Sequence, residues 1–215
     1  MRAEKLGTKV RQVQIAGAAL QLIGAHGVRG FSLAMLARRV GLVPSAIYRH
    51  FGSKEEVLDA ALDHLGSRLH HNLELVTEDA SDPLERLHAL LVRHVRLIRE
   101  NQAIPRIIFS EEVFSGNTER KAKVRGIIRR YLEGVAETVR EGQEQARIRA
   151  DVDPRVVAVH FLGLIQPAAI LWHLSDGRFD VTRQTERAWQ LFRDGIEARG
   201  AAAPRARPRA RRGGT

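Results

Sequence analysis

Five side chains in the run 44–54 carry the most legible chemistry of this 215-residue chain: Ser45, Tyr48, Arg49, His50 and Lys54. Two hydroxyls, an imidazole, a guanidinium and an ammonium all donate hydrogen bonds, and none is anionic at neutral pH. Such a set suits phosphate oxygens and the acceptor edges of bases, and arginine can take a guanine through two parallel bonds. Ile47 and Phe51 fall on the opposite face and are expected to pack inward.

Other chemistries fare worse. The nine histidines include His64, His70 and His71 in one segment and His88 and His94 in the next. A spacing of six does not put two histidines on one helix face. His64 and His71 do share a face, but two turns, about 10 Å, lie between them. No metal or cofactor is expected. Glu111 and Glu112 are adjacent, so their carboxylates point about 100° apart on a helix and do not converge for acid/base work. No phosphate-cradling glycine loop or nucleophile elbow occurs, and the absence of cysteine removes disulfides, thiolate ligands and thiol nucleophiles. The chain is not expected to be an enzyme.

The elements that must position the five donors are helical. Val10, Val13, Ala16, Leu20 and Ile23 recur at spacings of three and four from Lys9 to about His26. Gly27 and Gly30 break that pattern. Ser32 is placed to cap a second helix over 33–40, which Gly41 ends, and Pro44 suits the first position of a third helix over 44–51. Two short helices across a tight glycine turn make a helix-turn-helix, whose second helix enters the major groove. Ser53 and Glu56 have capping-box spacing at the start of a long fourth helix reaching about Val76. Asp82-Pro83 and Asp153-Pro154 open further helices. A short apolar helix is expected around Ile107 to Phe114, a long one over 118–145, and a final one over 182–199. The segment from Val156 to Leu174 is apolar almost all round, with Pro167 expected to kink it. No stretch alternates with period two. The expected fold is all-α, with about nine helices.

Charge is segregated. Residues 1–55 hold nine Lys or Arg against Glu4 and Glu55, and 205–212 hold five arginines and no acid, whereas 56–204 are near neutral within a net charge of +10. That suits a basic nucleic-acid reader, 1–55, joined to a separate body, 56–200, with a disordered basic tail at 201–215. Arg38 and Arg39 read first as solvated charges on the second helix. With no signal-peptide core, and no apolar run approaching the roughly 20 residues that cross a bilayer, neither secretion nor membrane insertion is expected, and the cytoplasm is the default.

The run Gly30-Phe31-Ser32-Leu33-Ala34-Met35-Leu36-Ala37-Arg38-Arg39-Val40-Gly41-Leu42-Val43-Pro44-Ser45-Ala46-Ile47-Tyr48-Arg49-His50-Phe51-Gly52-Ser53-Lys54-Glu55-Glu56-Val57-Leu58 closely resembles the DNA-binding signature of the TetR family. The Leu-Ala of the second helix, Val-Gly, Ile-Tyr-x-His-Phe and Ser-Lys-Glu-x-Val-Leu all stand at that family's spacing. Val43 departs from it, occupying the place of a capping serine. The likeness covers about residues 9–60. It implies phosphate contacts by Tyr48, His50 and Lys54, and base contacts by Pro44, Ser45, Ala46 and Arg49. It also implies a homodimer on a palindromic double-stranded DNA operator, with the helices at about 154–174 and 182–199 forming a four-helix interface. The apolar character of the first of these supports that independently, since a monomer would expose part of it.

For the body, Phe109, Phe114, His160, Phe161, Gln166, Trp172 and His173 are the candidates for lining an effector cavity. Apolar pockets with few polar groups are the usual form of small-molecule sites, so a small, mainly apolar effector that releases a repressor from its operator is the expectation. A sequence-tolerant architectural DNA binder without an effector is the alternative, and a helical enzyme the more remote one.

Overall fold

The computed structural model describes residues 7–101, 104, 107, 110, 111 and 118–198. Phe109 and Phe114, most of the short helix expected around them, and the basic tail lie outside the described residues. Those that are described form eight helices: α1 (Thr8–Gly30), α2 (Leu33–Arg39), α3 (Pro44–Tyr48), α4 (Lys54–Asp79), α5 (Pro83–Glu100), α6 (Thr118–Glu144), α7 (Pro154–Leu174) and α8 (Val181–Ile196). Among the described residues the only β-type pairing is an isolated bridge, Ile148 with Glu197, which fastens the α6–α7 loop to the end of α8.

Local chemistry explains most boundaries. Ser32 Oγ accepts from Met35 N at 3.2 Å and Ser53 Oγ from Glu56 N at 3.1 Å. Glu56 reaches back past the cap and accepts from Gly52 N at 2.8 Å, one residue before the Ser53 N–H that a standard capping box would use. Asp82 and Asp153 cap α5 and α7 through Leu84 N (2.9 Å) and Arg155 N (2.7 Å), each with proline at the first helical position. Gly41, at φ +69°, makes the left-handed turn that separates α2 from α3, and Leu42 N closes it on Ala37 O at 2.8 Å. Helix α3 is shorter than expected and its N-cap, Val43, offers no side-chain acceptor.

One buried cluster runs through the molecule. In the N-terminal part Ile15, Leu20, Ile23, Leu36 and Ile47 are fully enclosed, and α1 packs on α4; in the body Leu87, Leu91, Val135, Val139, Phe161 and Ile165 fill the space between α5, α6, α7 and α8. Helix α4 belongs to both, packing on α1, on α5 and on α6, the last from its first turns onward. It is a rigid shaft joining the two parts. Close approach of α4 to α6 depends on Gly66, where a Cβ would stand 2.9 Å from Ile127 Cγ1.

One expectation needs correction at α7, a helix that is continuous through Pro167. It is also 21 residues long and, by length and composition, apolar enough to cross a membrane, contrary to the reading that no such run exists. His160, Gln166 and His173 dilute its apolarity without interrupting it, and Arg155 is its one formal charge. Its inner face nonetheless belongs to the core, because Val157, Ala158, Phe161, Ile165, Ala168 and Ala169 are buried and the helix packs on α6 and α8.

Candidate nucleic-acid interface

Helix α3 is held by its inner face. Ala46, Ile47 and the following Phe51 are buried against the core that also encloses Leu36 and Ala37 of α2, so the helix has no freedom to roll. Pro44, Ser45, Tyr48 and Arg49 are thereby turned outward, with Tyr48 56% exposed despite its aromatic ring. Among the described residues the side chains of Ser45, Tyr48 and Arg49 make no hydrogen bond or ion pair, so their donors are open to an incoming partner.

His50 is more constrained. Its backbone carbonyl accepts from Gln12 Nε2 at 3.2 Å, which ties the end of α3 to α1. Nδ1 is buried and makes no hydrogen bond, which leaves Nε2 as the ring's outward polar atom and favours the tautomer carrying its proton there. Lys54 is also anchored: Nζ donates to Arg29 O at 3.2 Å and lies 4.6 Å from the centroid of the Phe31 ring. Arg39 pairs with Gln21 Oε1 at 3.0 and 2.7 Å. Ala46 does not face outward. It is 4% exposed, because in so short a helix two adjacent residues, 46 and 47, are both needed to seat it. The supporting roles of Gln12 and Gln21 escaped sequence reasoning, since nothing local marks a glutamine of α1 as a brace for α2 or α3.

In the body the five described candidates, all on α7, do not face one way. Phe161 is a core residue in edge contact with Phe192, at 6.0 Å between centroids. His160 is exposed on α7 and bonds Val156 O at 2.9 Å. Gln166 and His173 are half-buried, and Trp172 borders a cavity of about 710 Å³ between α5, α7 and α8. A second cavity, of about 720 Å³, lies between α6 and α7. The polar heart of the body is a pair that the sequence did not single out, His94 Nδ1 and Tyr131 Oη at 2.8 Å, both buried. Burial pushes the His94 pKa down to about 4 and raises that of Tyr131, so the pair is neutral at pH 7. His88 stacks on Trp189 at 5.2 Å and meets Glu186 at 3.0 Å, while His70 and His71 both reach Glu74. Among the described residues no three metal-ligating side chains come together.

Residues 15–61 match the family described as bacterial regulatory proteins, tetR family, and residues 80–196 match the tetracyclin repressor-like C-terminal domain. The chain belongs to the TetR family. This TetR-family regulator is 30% identical to a TetR/AcrR-family transcriptional regulator from Thermobifida fusca YX-ER1, whose crystal structure superposes with a TM-score of 0.63 over 86% of this chain and 97% of that one. The crystal structure of FadR from Bacillus subtilis in complex with stearoyl-CoA gives a TM-score of 0.70 at 22% identity, over 85% and 98% of the two chains. The nucleoid occlusion factor SlmA of Edwardsiella ictaluri is 25% identical over 196 residues, 88% of this chain and 97% of that protein.

Proposed function

We propose that this TetR-family regulator is a homodimeric repressor, which binds a palindromic operator through α2 and α3 and is released by a small, mainly apolar effector entering its body. The observation that carries the reading is α3 itself: a helix clamped by Ile47 and Phe51 that presents Tyr48, Ser45 and Arg49 to solvent with their donors unpaired. Pro44, Ser45 and Arg49 meet base edges, and Tyr48, His50 and Lys54 meet phosphates. The work divides between a DNA-binding unit, 1–55, and an effector-binding and dimerising body, 56–200. No chemical step is involved, and the cytoplasm is the site of action.

Dimerisation is supported by an exposed apolar stripe on α7 and α8. Ile170, Leu171 and Leu174 project from one helix and Leu191 from the other, with Leu174 75% and Leu191 78% exposed. Exposed aliphatic side chains on both helices of a two-helix layer suit a self-complementary contact about a two-fold axis. The stearoyl-CoA seen in the Bacillus subtilis FadR complex supports an effector with a large apolar part.

Fluorescence anisotropy with cognate and random duplexes at physiological salt tests the assignment. Arg49→Ala is expected to relax preference at one base position while leaving random-DNA affinity nearly unchanged. Equal loss on both duplexes would remove its base-reading role. The likeness to SlmA favours a second reading, a nucleoid-associated DNA binder without an effector, which would give nearly equal affinities for the two duplexes from the start.

A further inference from the structure

The cavity of about 720 Å³ between α6 and α7 has an unusual combination of walls. Its floor is apolar: Val124, Ile128 and Leu132 stand at intervals of four along α6, facing Ala158 and Val159 of α7. One lip is a row of cations in the same register, Lys121, Arg125 and Arg129, each rising about 6 Å above the last. All three are exposed, and among the described residues none makes an ion pair or a side-chain hydrogen bond. Arg120 and Lys123, on the face of α6 turned toward α4, are by contrast both paired with carboxylates there. Glu133 continues the register and Arg155 adds a fourth cation from α7, but Glu133 is held by Arg140 at 2.5 Å, so like charges four residues apart repel along 121, 125 and 129 without an ion-pair partner among the described residues.

We propose that this trough binds a soluble amphipathic anion, with a single apolar chain along Val124, Ile128 and Leu132 and a multiply phosphorylated head on Lys121, Arg125 and Arg129. The proposal rests on the effector reading above and adds the place and the chemical class. A lone carboxylate would neutralise one cation of three, whereas several phosphates spread along the row neutralise all of them with charge-assisted bonds. DNA would leave the apolar floor uncovered. A second copy of the chain would bring this cationic row to an interface that the exposed apolar residues of α7, Ile170, Leu171 and Leu174, fill better. Occupancy acts on the right helix as well, because the same turns of α6 hold α4 through Arg120 and Lys123.

The test is calorimetric titration of the full chain at physiological salt with decanoyl-coenzyme A, with coenzyme A as the head alone and decanoate as the chain alone. Decanoyl-coenzyme A is expected to bind at least tenfold more tightly than either half, and both Arg125→Glu/Arg129→Glu and, separately, Val159→Glu are expected to weaken it about tenfold or more. Arg183→Glu, on exposed α8, is expected to leave binding unchanged, and circular dichroism melting confirms that each variant folds. No binding, equal binding of the halves, or unchanged affinity in both trough variants would overturn the proposal. Tighter association with phosphatidylglycerol vesicles than with the soluble thioester would overturn it in favour of a membrane headgroup. Operator affinity, measured alongside, separates the two claims. A trough-dependent complex that leaves the operator bound contradicts the effector reading alone, while operator release undiminished in the charge-reversed variant contradicts the trough alone.

Discussion

Arg120 Nε on α6 lies 2.9 Å from Asp59 Oδ1 on α4, and the arginine side chain is 5% exposed although it carries a full charge. Its Nη2 also reaches Glu55 O at 3.4 Å, and Lys123 bonds Asp63 at 2.6 Å one turn along. The two cations pin the first turns of the shaft that seats α3. A displacement of α6 is therefore expected to reach the start of α4 through these two pairs, a coupling that Arg120→Ala tests.

Arg120→Ala leaves Asp59 unpaired beside the core and is expected to cost about 2 kcal/mol, less than a fully buried pair because Asp59 is partly solvated. Urea unfolding measures this. Where the variant folds, effector-driven release from the operator is expected to weaken while effector affinity holds. Undiminished release would show that the coupling runs elsewhere.

Tyr48 and Lys54 are expected to part company. Tyr48→Phe removes one bond to a phosphate, costing about 1.5 kcal/mol of DNA affinity on every sequence, with no change in stability. Lys54→Ala is expected to lower the salt slope of binding by about one and also to cost about 1 kcal/mol in stability, since its ammonium sits over Phe31 and on Arg29 O. Anisotropy across a salt series, beside thermal melts, reads both.

His94 makes the body acid-sensitive. Its pKa falls from an ordinary 6.5 to about 4 on burial, so between those values the unfolded chain binds a proton that the folded one does not. Stability from this source is complete above pH 6.5 and is lost as pH falls toward 4, by up to about 3 kcal/mol. His94→Gln keeps a partner for Tyr131 but does not titrate. The difference in unfolding free energy between wild type and variant is expected to shift toward the variant as pH drops from 7 to 4.5; a pH-independent difference would contradict this account of His94.

Leu171→Asp combined with Leu174→Asp places two charges on the exposed stripe of α7. Analytical ultracentrifugation is expected to find monomer, and operator affinity to fall at least tenfold as one half-site is lost. A dimer that persists would move the interface to another face.

Legibility followed range. Ser32, Ser53, Asp82 and Asp153 each bond a backbone N–H two or three residues on, so the caps of four helices could be read from neighbours alone. The turn at Gly41 is equally local. Ala46 misled because the inner arc of a five-residue helix is settled by what it packs on, not by its own period. Arg120 and Asp59 are 61 positions apart, His94 and Tyr131 37, and neither spacing carries a signal without the fold. The orientation of the body candidates on α7 was illegible for the same reason. An apolar helix such as α7 has residues of one character on every side, and only its neighbours decide that Phe161 points to the core while His160 faces solvent.

Selection from a random duplex pool by the full chain at physiological salt addresses the central claim, sequence-specific DNA binding by paired copies of α3. An enriched palindrome is predicted, its half-sites about one helical turn apart or a multiple of it, bound at least about 10³-fold more tightly than random DNA. A pool that emerges without a common site, or with affinity equal to random sequence, would contradict it.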